Sequence, residues 1–285
     1  MSRTVYVNSA YLPEEEAKIS VFDRGFLMAD GVYEVTAVLG GRLVDYPGHV
    51  VRLHRSLDAL QMATPVTDDE LLAIHRELIR LNALDEGLIY LQITRGAADR
   101  DFVWPEGATP SLVLITQGKH FEDAEGPKHG IKVASQPDLR WGRRDIKTVQ
   151  LLYPSLAKMQ ARAQGADDAW MVDDDGFVTE GTSNNTYIVT GDGSIVTRNL
   201  STDILHGITR ASVLKLAAEA QLKVEEHPFT IAEAQGAAEA FITAASTFVC
   251  PVVAVDGVTV GDGKPGPVAK RLREIYLQNA RATAV

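Results

Sequence analysis

The sequence predicts an α+β fold, with strands and helices divided between two domains. Short apolar runs bounded by hairpin signals indicate antiparallel strands. Other segments place apolar residues at helical spacing. Strands and helices do not alternate regularly along the chain, which favours α+β over a doubly wound parallel sheet. The chain has 285 residues, and a domain typically takes ~150 residues, so two domains are expected.

The first half of the chain is predicted to run from strands to helices and back to strands. The pairs Asn8-Ser9 and Gly40-Gly41 each separate two apolar segments and mark hairpin turns. Leucines at helical spacing predict a helix over 47–62. The sequence Thr67-Asp68-Asp69-Glu70 has the form of a capping box at the start of a second helix. Two strands are predicted to follow, over 88–94 and 111–116.

The second half is predicted to contain more sheet than the first. The polar stretch 119–130 contains Gly126-Pro127 and shows no periodicity, so it is interpreted as an interdomain linker. It separates a small N-terminal domain (1–118) from a larger C-terminal domain (131–285). Predicted strands cover 131–135, 169–172, 186–189, 195–197, 240–243 and 252–255, and predicted helices cover 155–164, 209–221 and 267–281.

Composition and charge argue against several classes of function. The chain carries 28 basic and 38 acidic residues, a net charge of −10, without a basic block, so no nucleic-acid partner is expected. Apolar runs are far shorter than the ~20 residues of a spanning helix, and the amino terminus lacks the apolar core of a signal peptide. A single cysteine, Cys250, permits no internal disulfide. We therefore expect a cytoplasmic protein without a membrane partner. No metal site is predicted.

The most informative residues are a lysine and a carboxylate. Lys147 lies in Arg144-Asp145-Ile146-Lys147-Thr148, and Glu180 opens Glu180-Gly181-Thr182-Ser183-Asn184-Asn185. Such a pair suits the two decisive ends of a pyridoxal phosphate ring. The lysine would hold the aldehyde carbon as a Schiff base, and the carboxylate would keep the ring nitrogen protonated. The alternatives are a solvated lysine and an exposed turn carboxylate; a second lysine, Lys158, is interpreted as surface.

An ordered series of short motifs surrounds this pair. The motifs are Ile146-Lys147, Leu156-Ala157-Lys158, Gly165-Ala166-Asp167-Asp168-Ala169, Val172-Asp173, Gly176-Phe177-Val178-Thr179-Glu180-Gly181-Thr182 and Asn184. Over this block the chain resembles the aminotransferases of fold type IV, also called class IV. That family includes D-amino-acid and branched-chain aminotransferases, (R)-selective amine transaminases and aminodeoxychorismate lyase. The resemblance extends from Asp23-Arg24-Gly25-Phe26 to Pro251-Val252, nearly the whole chain.

The resemblance implies the fold, the cofactor and the roles of the pair. It implies a smaller N-terminal α/β sandwich and a larger, cofactor-binding, sheet-rich pseudo-barrel, with pyridoxal phosphate between them. Lys147 is then the Schiff-base lysine and proton shuttle, and Glu180 pairs with the pyridine nitrogen.

The resemblance also implies three phosphate-binding segments. Arg52 matches the phosphate-binding arginine, whose planar fork suits phosphate oxygens. The amides of Ile208 and Thr209, and the hydroxyl of Thr209, are expected to form an anion seat where a loop enters a helix. In the third segment Ala245 stands where a threonine hydroxyl is common. Either the Ala245 amide or the hydroxyl of Ser246 is expected to serve there.

At the substrate end, Tyr33 matches an active-site tyrosine of the D-amino-acid branch, the alternative being a packed core aromatic. The loop Arg95–Pro105 aligns with a carboxylate-binding loop that carries an arginine and, two residues on, a histidine. Arg100 matches the arginine, unless it is an ordinary exposed loop residue, and Phe102 replaces the histidine. A hydrogen bond to a charged group contributes about 1.5–3 kcal/mol, so carboxylate binding should weaken.

The predicted function is a transaminase that moves an amino group from a D-amino acid of the D-alanine type to a 2-oxo acid. Phe102 adds an expected side activity on (R)-primary amines. In this family the loop with Arg100 reaches the site of a partner subunit, which implies a homodimer. The alternatives are an (R)-amine or branched-chain transaminase, an enzyme of the aminodeoxychorismate-lyase type, and a binding protein with the fold but not the chemistry. The presence of both Lys147 and Glu180 argues against the last.

Overall fold

The computed structural model describes residues 2–285, which divide into two compact units. The first comprises the described residues up to His120, together with Ile146–Gln150 and Thr283–Val285; the second comprises Phe121–Asp145 and Leu151–Ala282. Each unit combines helices with mostly antiparallel strands, which confirms the predicted α+β class.

The first unit has two layers, an antiparallel sheet and a pair of helices. In chain order its elements are β1 (Thr4–Val7), β2 (Ala10–Pro13), α1 (Arg24–Met28), β3 (Gly31–Leu39), β4 (Arg42–Leu43), α2 (Tyr46–Ala59), α3 (Asp68–Leu81), β5 (Glu86–Thr94) and β6 (Ser111–Gly118). The strands lie in the order β2-β1-β6-β5-β3-β4. Both predicted hairpins are confirmed. Asn8, Ser9, Gly40 and Gly41 all have positive φ, as two-residue type I′ turns require.

The core of the first unit lies between the sheet and the helices α2 and α3. The capping box of α3 is confirmed, because the Glu70 N–H donates to Thr67 Oγ1 at 3.3 Å and the Thr67 N–H donates to the Glu70 carboxylate at 2.8 Å. The apolar faces of both helices pack against the inner face of the sheet. Buried core residues include Val32, Leu53, Leu57, Leu71, Leu78, Ile89, Leu91 and Ile93.

A buried ion pair links α2 to β3 within this layer. Arg52 donates from Nε and Nη2 to the two oxygens of Glu34, each at 2.7 Å. His49 Nδ1 lies 2.7 Å from Glu34 Oε2. All three side chains are buried, so the carboxylate is matched by donors as burial of a charge requires. The cluster fixes the guanidinium of Arg52 in one orientation.

The second unit is built on a larger, mixed sheet. In chain order its elements are α4 (Glu125–His129), β7 (Ile131–Pro137), α5 (Leu152–Ala163), β8 (Asp168–Val172), β9 (Val178–Gly181), β10 (Asn185–Val189), β11 (Ile195–Thr197), α6 (Ile208–Glu219), β12 (Val224–Glu226), α7 (Ile231–Gln235), β13 (Glu239–Ala244), β14 (Phe248–Val255), β15 (Val258–Thr259) and α8 (Pro267–Thr283). The strands lie in the order β12-β11-β10-β13-β14-β7-β8-β9, with β15 beside β14. The helix α5 is the crossover between the parallel strands β7 and β8.

This second sheet must curl back on itself. The strands β13, β14, β7 and β8 lie between β10 and β9, and a flat sheet would place β9 and β10 about 24 Å apart at about 4.8 Å per strand. The connection from Gly181 to Asn185 reaches at most about 14 Å. The turn is closed by the Gly181 N–H, which donates to the Asn184 carbonyl at 2.8 Å. The curled sheet confirms the predicted sheet-rich pseudo-barrel.

Across residues 2–285, none of the helices has both the length and the apolar character needed to cross a bilayer.

We expect Glu34→Gln to lower the free energy of unfolding at pH 7 by about 3–5 kcal/mol, the cost of breaking a buried ion pair. Burial alone would raise the pKa of Glu34, but Arg52 and His49 hold it well below its usual range. The ionised carboxylate therefore stabilises the folded chain above the unfolded pKa of about 4.3, and this stabilisation is lost as the pH falls toward the folded pKa. In urea unfolding, the difference between wild type and variant should shrink below about pH 4.

Glu77→Gln is the matched control. Glu77 pairs with Arg80 on the exposed face of α3, so this variant should have the stability of wild type at pH 7 and below about pH 4. Equal stability of Glu34→Gln and wild type at pH 7 would show that the buried pair does not support the unit.

Candidate active site

Lys147 lies on a short segment that pairs with the start of β3. The Tyr33 N–H donates to the Lys147 carbonyl at 3.0 Å, and the Val149 N–H donates to the Gly31 carbonyl at 3.1 Å. From the other side, the Lys147 N–H donates to Ser56 Oγ on α2 at 3.3 Å. The backbone of this lysine is thus fixed by a strand and a helix.

The side chain of Lys147 lies against the ring of Tyr33. The ammonium nitrogen is 4.1 Å from the ring centroid, within cation–π distance. Tyr33 stacks on Tyr90, with centroids 5.5 Å apart, and the Tyr90 hydroxyl donates to Gln92 at 2.6 Å. Tyr33 is half-buried and lies on the face of the sheet opposite the core, so it is not a packed core aromatic. The structure brings two predicted residues, Lys147 and Tyr33, together.

Arg52 faces the same side of α2 as the contact with Lys147. It lies four residues before Ser56, and residues four apart share one helix face. Its guanidinium is held by Glu34. The predicted phosphate arginine is therefore buried and held in one orientation by Glu34.

Arg100 and Phe102 lie on an exposed loop that two buried arginines anchor. Arg24 Nη1 donates to the Asp101 carbonyl at 2.7 Å, and the Arg95 guanidinium lies 4.1 Å from the Trp104 ring centroid. Both arginines also donate to Asp30 Oδ2 at 2.8 Å. Phe102 itself is 79% exposed.

Glu180, in the second unit, is a buried carboxylate with three donors. Its side chain is 5% exposed, which excludes the exposed turn carboxylate. Arg140 Nη1 donates to Oε1 at 2.5 Å, and Oε2 accepts from Asn185 Nδ2 at 3.2 Å and from the Leu205 N–H at 3.1 Å. A carboxylate has about four acceptor positions. Glu180 thus retains the capacity to accept one further N–H.

Asn185 connects Glu180 to the start of α6. Besides Glu180, its Nδ2 donates to the Leu205 carbonyl at 3.0 Å. Its Oδ1 approaches Gly207 so closely that a Cβ there would lie at 2.0 Å, so any larger residue at this N-cap would displace the Asn185 side chain. Among the described residues, no side chain caps α6. Its first N–H groups, those of Ile208 and Thr209, are therefore suited to an anion.

The segment with Ser246 lies at the same end of the sheet. Asn185 pairs with Thr243 across β10 and β13, so the turn that follows β13 is adjacent to Asn185. Ser246 is half-buried in that turn. Arg273 supports the turn by donating to the Thr247 and Val249 carbonyls, each at 2.8 Å.

The residues of each unit fit pyridoxal phosphate in their chemistry. The second unit places a buried anionic acceptor near uncapped helical amides, which suits a pyridine N–H and a phosphate. The first unit places a lysine amine beside a tyrosine ring. Lys158, unlike Lys147, is half-exposed, and its Nζ lies 3.5 Å from Asp168 Oδ1.

Sequence reasoning missed Arg140 and Asp138 altogether, and it did not assign a role to Asn185. Arg140 contacts Glu180 across 40 positions of sequence, and no local pattern marks it. Asn185 ends the run that Glu180 opens, so its place in that run was a signal in the sequence. Its contact with Gly207 could be seen only in the folded structure.

The chain is similar to known proteins over nearly its whole length. A family model described as Amino-transferase class IV matches residues 31–255. The D-alanine aminotransferase of Bacillus licheniformis is 36% identical over 276 residues, covering 97% of this chain and 96% of that protein. The enzyme of the same name from Staphylococcus haemolyticus is 35% identical over 270 residues, 95% of each chain.

Solved structures show the same architecture. Escherichia coli branched-chain amino acid aminotransferase is 25% identical, with a TM-score of 0.91 over 98% of this chain and 95% of that chain. A second branched-chain amino acid aminotransferase, from T.th. and solved with pyridoxamine 5′-phosphate, is 28% identical. Its TM-score is 0.90, over 99% of this chain and 95% of that chain. The chain therefore belongs to the class IV aminotransferase family, as its resemblance predicted, and is a pyridoxal-phosphate-dependent aminotransferase.

Proposed function

We propose that this aminotransferase moves an amino group from a D-amino acid of the D-alanine type to a 2-oxo acid. The observation that carries the reaction class is the buried Glu180 carboxylate, held by three donors with capacity for one more. The substrate class is supported by relatives named D-alanine aminotransferase that match nearly the full chain.

Glu180 and Lys147 have complementary roles in this proposal. When bound, pyridoxal phosphate supplies the electron sink that makes the substrate carbon acidic. Glu180 would accept the ring N–H and so favour the protonated ring nitrogen. The Lys147 amine would hold the cofactor at its aldehyde carbon. As a free amine, Lys147 would carry the proton that is removed from the substrate carbon.

The phosphate would be held by groups from three segments. Arg52 offers a guanidinium that Glu34 orients. Ile208 and Thr209 offer the first amides of α6, and Thr209 adds a hydroxyl. Ser246 adds a hydroxyl from the turn after β13, in place of the threonine hydroxyl that Ala245 lacks.

The substrate carboxylate is bound by Tyr33 and Arg100, with Phe102 in place of a histidine. Phe102 removes one donor and adds an apolar ring, which favours (R)-primary amines as further donors. This residue is also the specific observation that supports an (R)-amine transaminase as the second candidate. The Arg100 guanidinium lies 5.6 Å from the Phe102 ring centroid, so the two side chains would meet a substrate together.

We also propose that the enzyme is a homodimer whose loops complete each other's sites. Val21, Phe22, Phe26, Phe102 and Val103 are each more than half exposed. They lie on two segments that are joined where the Ala98 N–H donates to the Phe22 carbonyl at 3.1 Å. Large apolar side chains grouped on an exposed surface are typical of a protein–protein interface.

The enzyme is proposed to work in the cytoplasm. Its single cysteine, Cys250, is buried in β14. A chain that uses no disulfide suits a reducing compartment.

D-alanine should convert the bound cofactor to its amine form in a single turnover, with release of pyruvate, whereas L-leucine should not. Absorbance of the cofactor measures the conversion. Lys147→Ala should abolish it, because the proton has no other carrier, and borohydride should then no longer attach the cofactor to the chain. Lys158→Ala, at the half-exposed helix lysine, is the matched control and should behave as wild type.

Three outcomes would contradict this assignment. One is no conversion by D-alanine, D-glutamate or (R)-1-phenylethylamine. Another is full activity of Lys147→Ala. The third is release of pyruvate from aminodeoxychorismate without transamination of any donor, which would identify a lyase.

Phe102→His should lower the KM for D-alanine about tenfold or more, because it restores a donor to the carboxylate. The KM for (R)-1-phenylethylamine, which has no carboxylate, should not fall. Steady-state kinetics with both donors measures the two KM values in wild type and variant. Glu106→His places an imidazole at an exposed position just beyond this loop and should change neither KM. An equal effect of Phe102→His on both donors would mean that position 102 does not face the carboxylate.

Phe26→Glu should convert the dimer to a monomer, because it places a charge in the apolar surface defined above. Sedimentation velocity measures the mass of the particle, and Val258→Glu, at a half-exposed position on β15, should remain a dimer. The monomer should also turn over D-alanine more slowly, since each site then lacks its partner's loop. A wild-type chain that sediments as a monomer with full activity would refute the homodimer.

A further inference from the structure

Arg140 is the charged partner of Glu180, and Asp138 fixes its orientation. Arg140 Nη1 donates to Glu180 Oε1 at 2.5 Å. Its Nε and Nη2 donate to the two oxygens of Asp138 at 2.9 Å and 2.7 Å. A guanidinium is planar, so a fork held on one carboxylate aims its remaining N–H groups in a fixed direction. Glu180 lies in that direction.

Asp138 is in turn tied to the strand that carries Glu180. Its Oδ2 accepts from the hydroxyl of Thr179 at 2.7 Å, the residue before Glu180 on β9. The Asp138 N–H donates to the Val172 carbonyl at the end of β8 at 2.7 Å. The Asp138 side chain is fully buried. These contacts fix the position of Arg140 relative to Glu180.

The charge of Glu180 depends on this arginine. Burial raises the pKa of the Glu180 carboxyl, Arg140 opposes that rise, and the like charge of Asp138 adds to it. Arg144, behind Asp138, reaches its Oδ2 at 3.5 Å. The other donors to Glu180 are neutral dipoles, from Asn185 and Leu205. Among the described residues, Arg140 is thus the hydrogen-bonding partner of Glu180 that carries a full positive charge.

We infer that Arg140 is a positioning residue that keeps Glu180 ionised and oriented to accept the ring N–H of the cofactor. The inference rests on the proposed function, because Glu180 needs a permanent charge only if it faces a protonated ring nitrogen. A protonated Glu180 would offer an O–H in place of an acceptor, and the ring nitrogen would lose its counter-charge. Arg140 acts through Glu180 alone.

The first test measures the affinity of the full-length chain for pyridoxal phosphate from acid to alkaline pH, by protein fluorescence. Arg140→Gln removes the charge, and Arg140→Lys retains it. Arg143→Gln is the matched control, since Arg143 lies on the same loop and pairs with Asp145 at the surface. At neutral pH, Arg140→Gln should bind the cofactor about tenfold or more weakly.

The pH dependence separates positioning from simple support of the loop. The loss in Arg140→Gln should diminish at alkaline pH, where Glu180 ionises without help. Arg140→Lys should recover most of the affinity, and Arg143→Gln should equal wild type. A loss of the same size at every pH would show that Arg140 only supports the loop, and an unchanged affinity would remove it from the site. Either result overturns the inference.

The second test needs no cofactor. In a chain labelled with ¹³C at the glutamate carboxyls, the Glu180 signal, assigned with Glu180→Gln, should titrate at higher pH in Arg140→Gln than in wild type. If Arg140→Gln does not fold, Arg140→Lys should show a smaller shift in the same direction. An unchanged titration overturns the inference. A wild-type chain that binds no pyridoxal phosphate would instead refute the proposed function, and the titration would still decide the role of Arg140.

Discussion

A carboxylate taken out of water must be matched by donors and charge, and each unit of this chain is organised around one such group. In the first unit Glu34 on β3 is matched by Arg52 and His49 from α2. In the second, Glu180 on β9 is matched by Arg140 from the loop after β7 and by groups ahead of α6. In both cases the arginine comes from another element, 18 residues from Glu34 and 40 residues from Glu180. Satisfying the buried charge therefore fixes the relative placement of the elements that carry the candidate site.

The register of the first sheet separates the site from the core. Side chains alternate between the two faces of a strand, so Tyr33 and Glu34 point in opposite directions from β3. Tyr33 is paired with Gln92 across to β5, and it stacks on Tyr90 beside Lys147, while Glu34 faces α2. A slip of one residue would exchange them, placing the carboxylate beside the lysine and the tyrosine in the helical layer. The ion pair with Arg52 thus fixes both the charge balance and the register.

Elements with strong local signals were predictable from the sequence. The hairpins at Asn8-Ser9 and Gly40-Gly41 and the capping box at Thr67 each depend on a few neighbouring residues, and all are present. The sequence pattern did not predict α1, α4 and α7, each a single short turn of helix, or β9, whose polar sequence Val178–Gly181 has no strand pattern. The burial of β9 is set by long-range contacts such as the bond from Thr179 to Asp138. Such contacts leave no periodicity in the sequence.

The candidate site residues also differ in how far their positions depend on long-range contacts. The family resemblance located Glu180 and Arg52, which are buried and held by networks, so a substitution there disturbs folding as well as chemistry. It did not reveal Arg140, because an arginine that acts through another residue has no spacing of its own to recognise. The loop that is proposed to bind substrate has the opposite character. The loop is anchored through the Asp101 carbonyl and the Trp104 ring, whereas Phe102 is 79% exposed in the single chain. A side chain that contributes so little to the fold of its own subunit can be exchanged without cost to folding, so chains with the same cofactor site can differ in the donor that they accept.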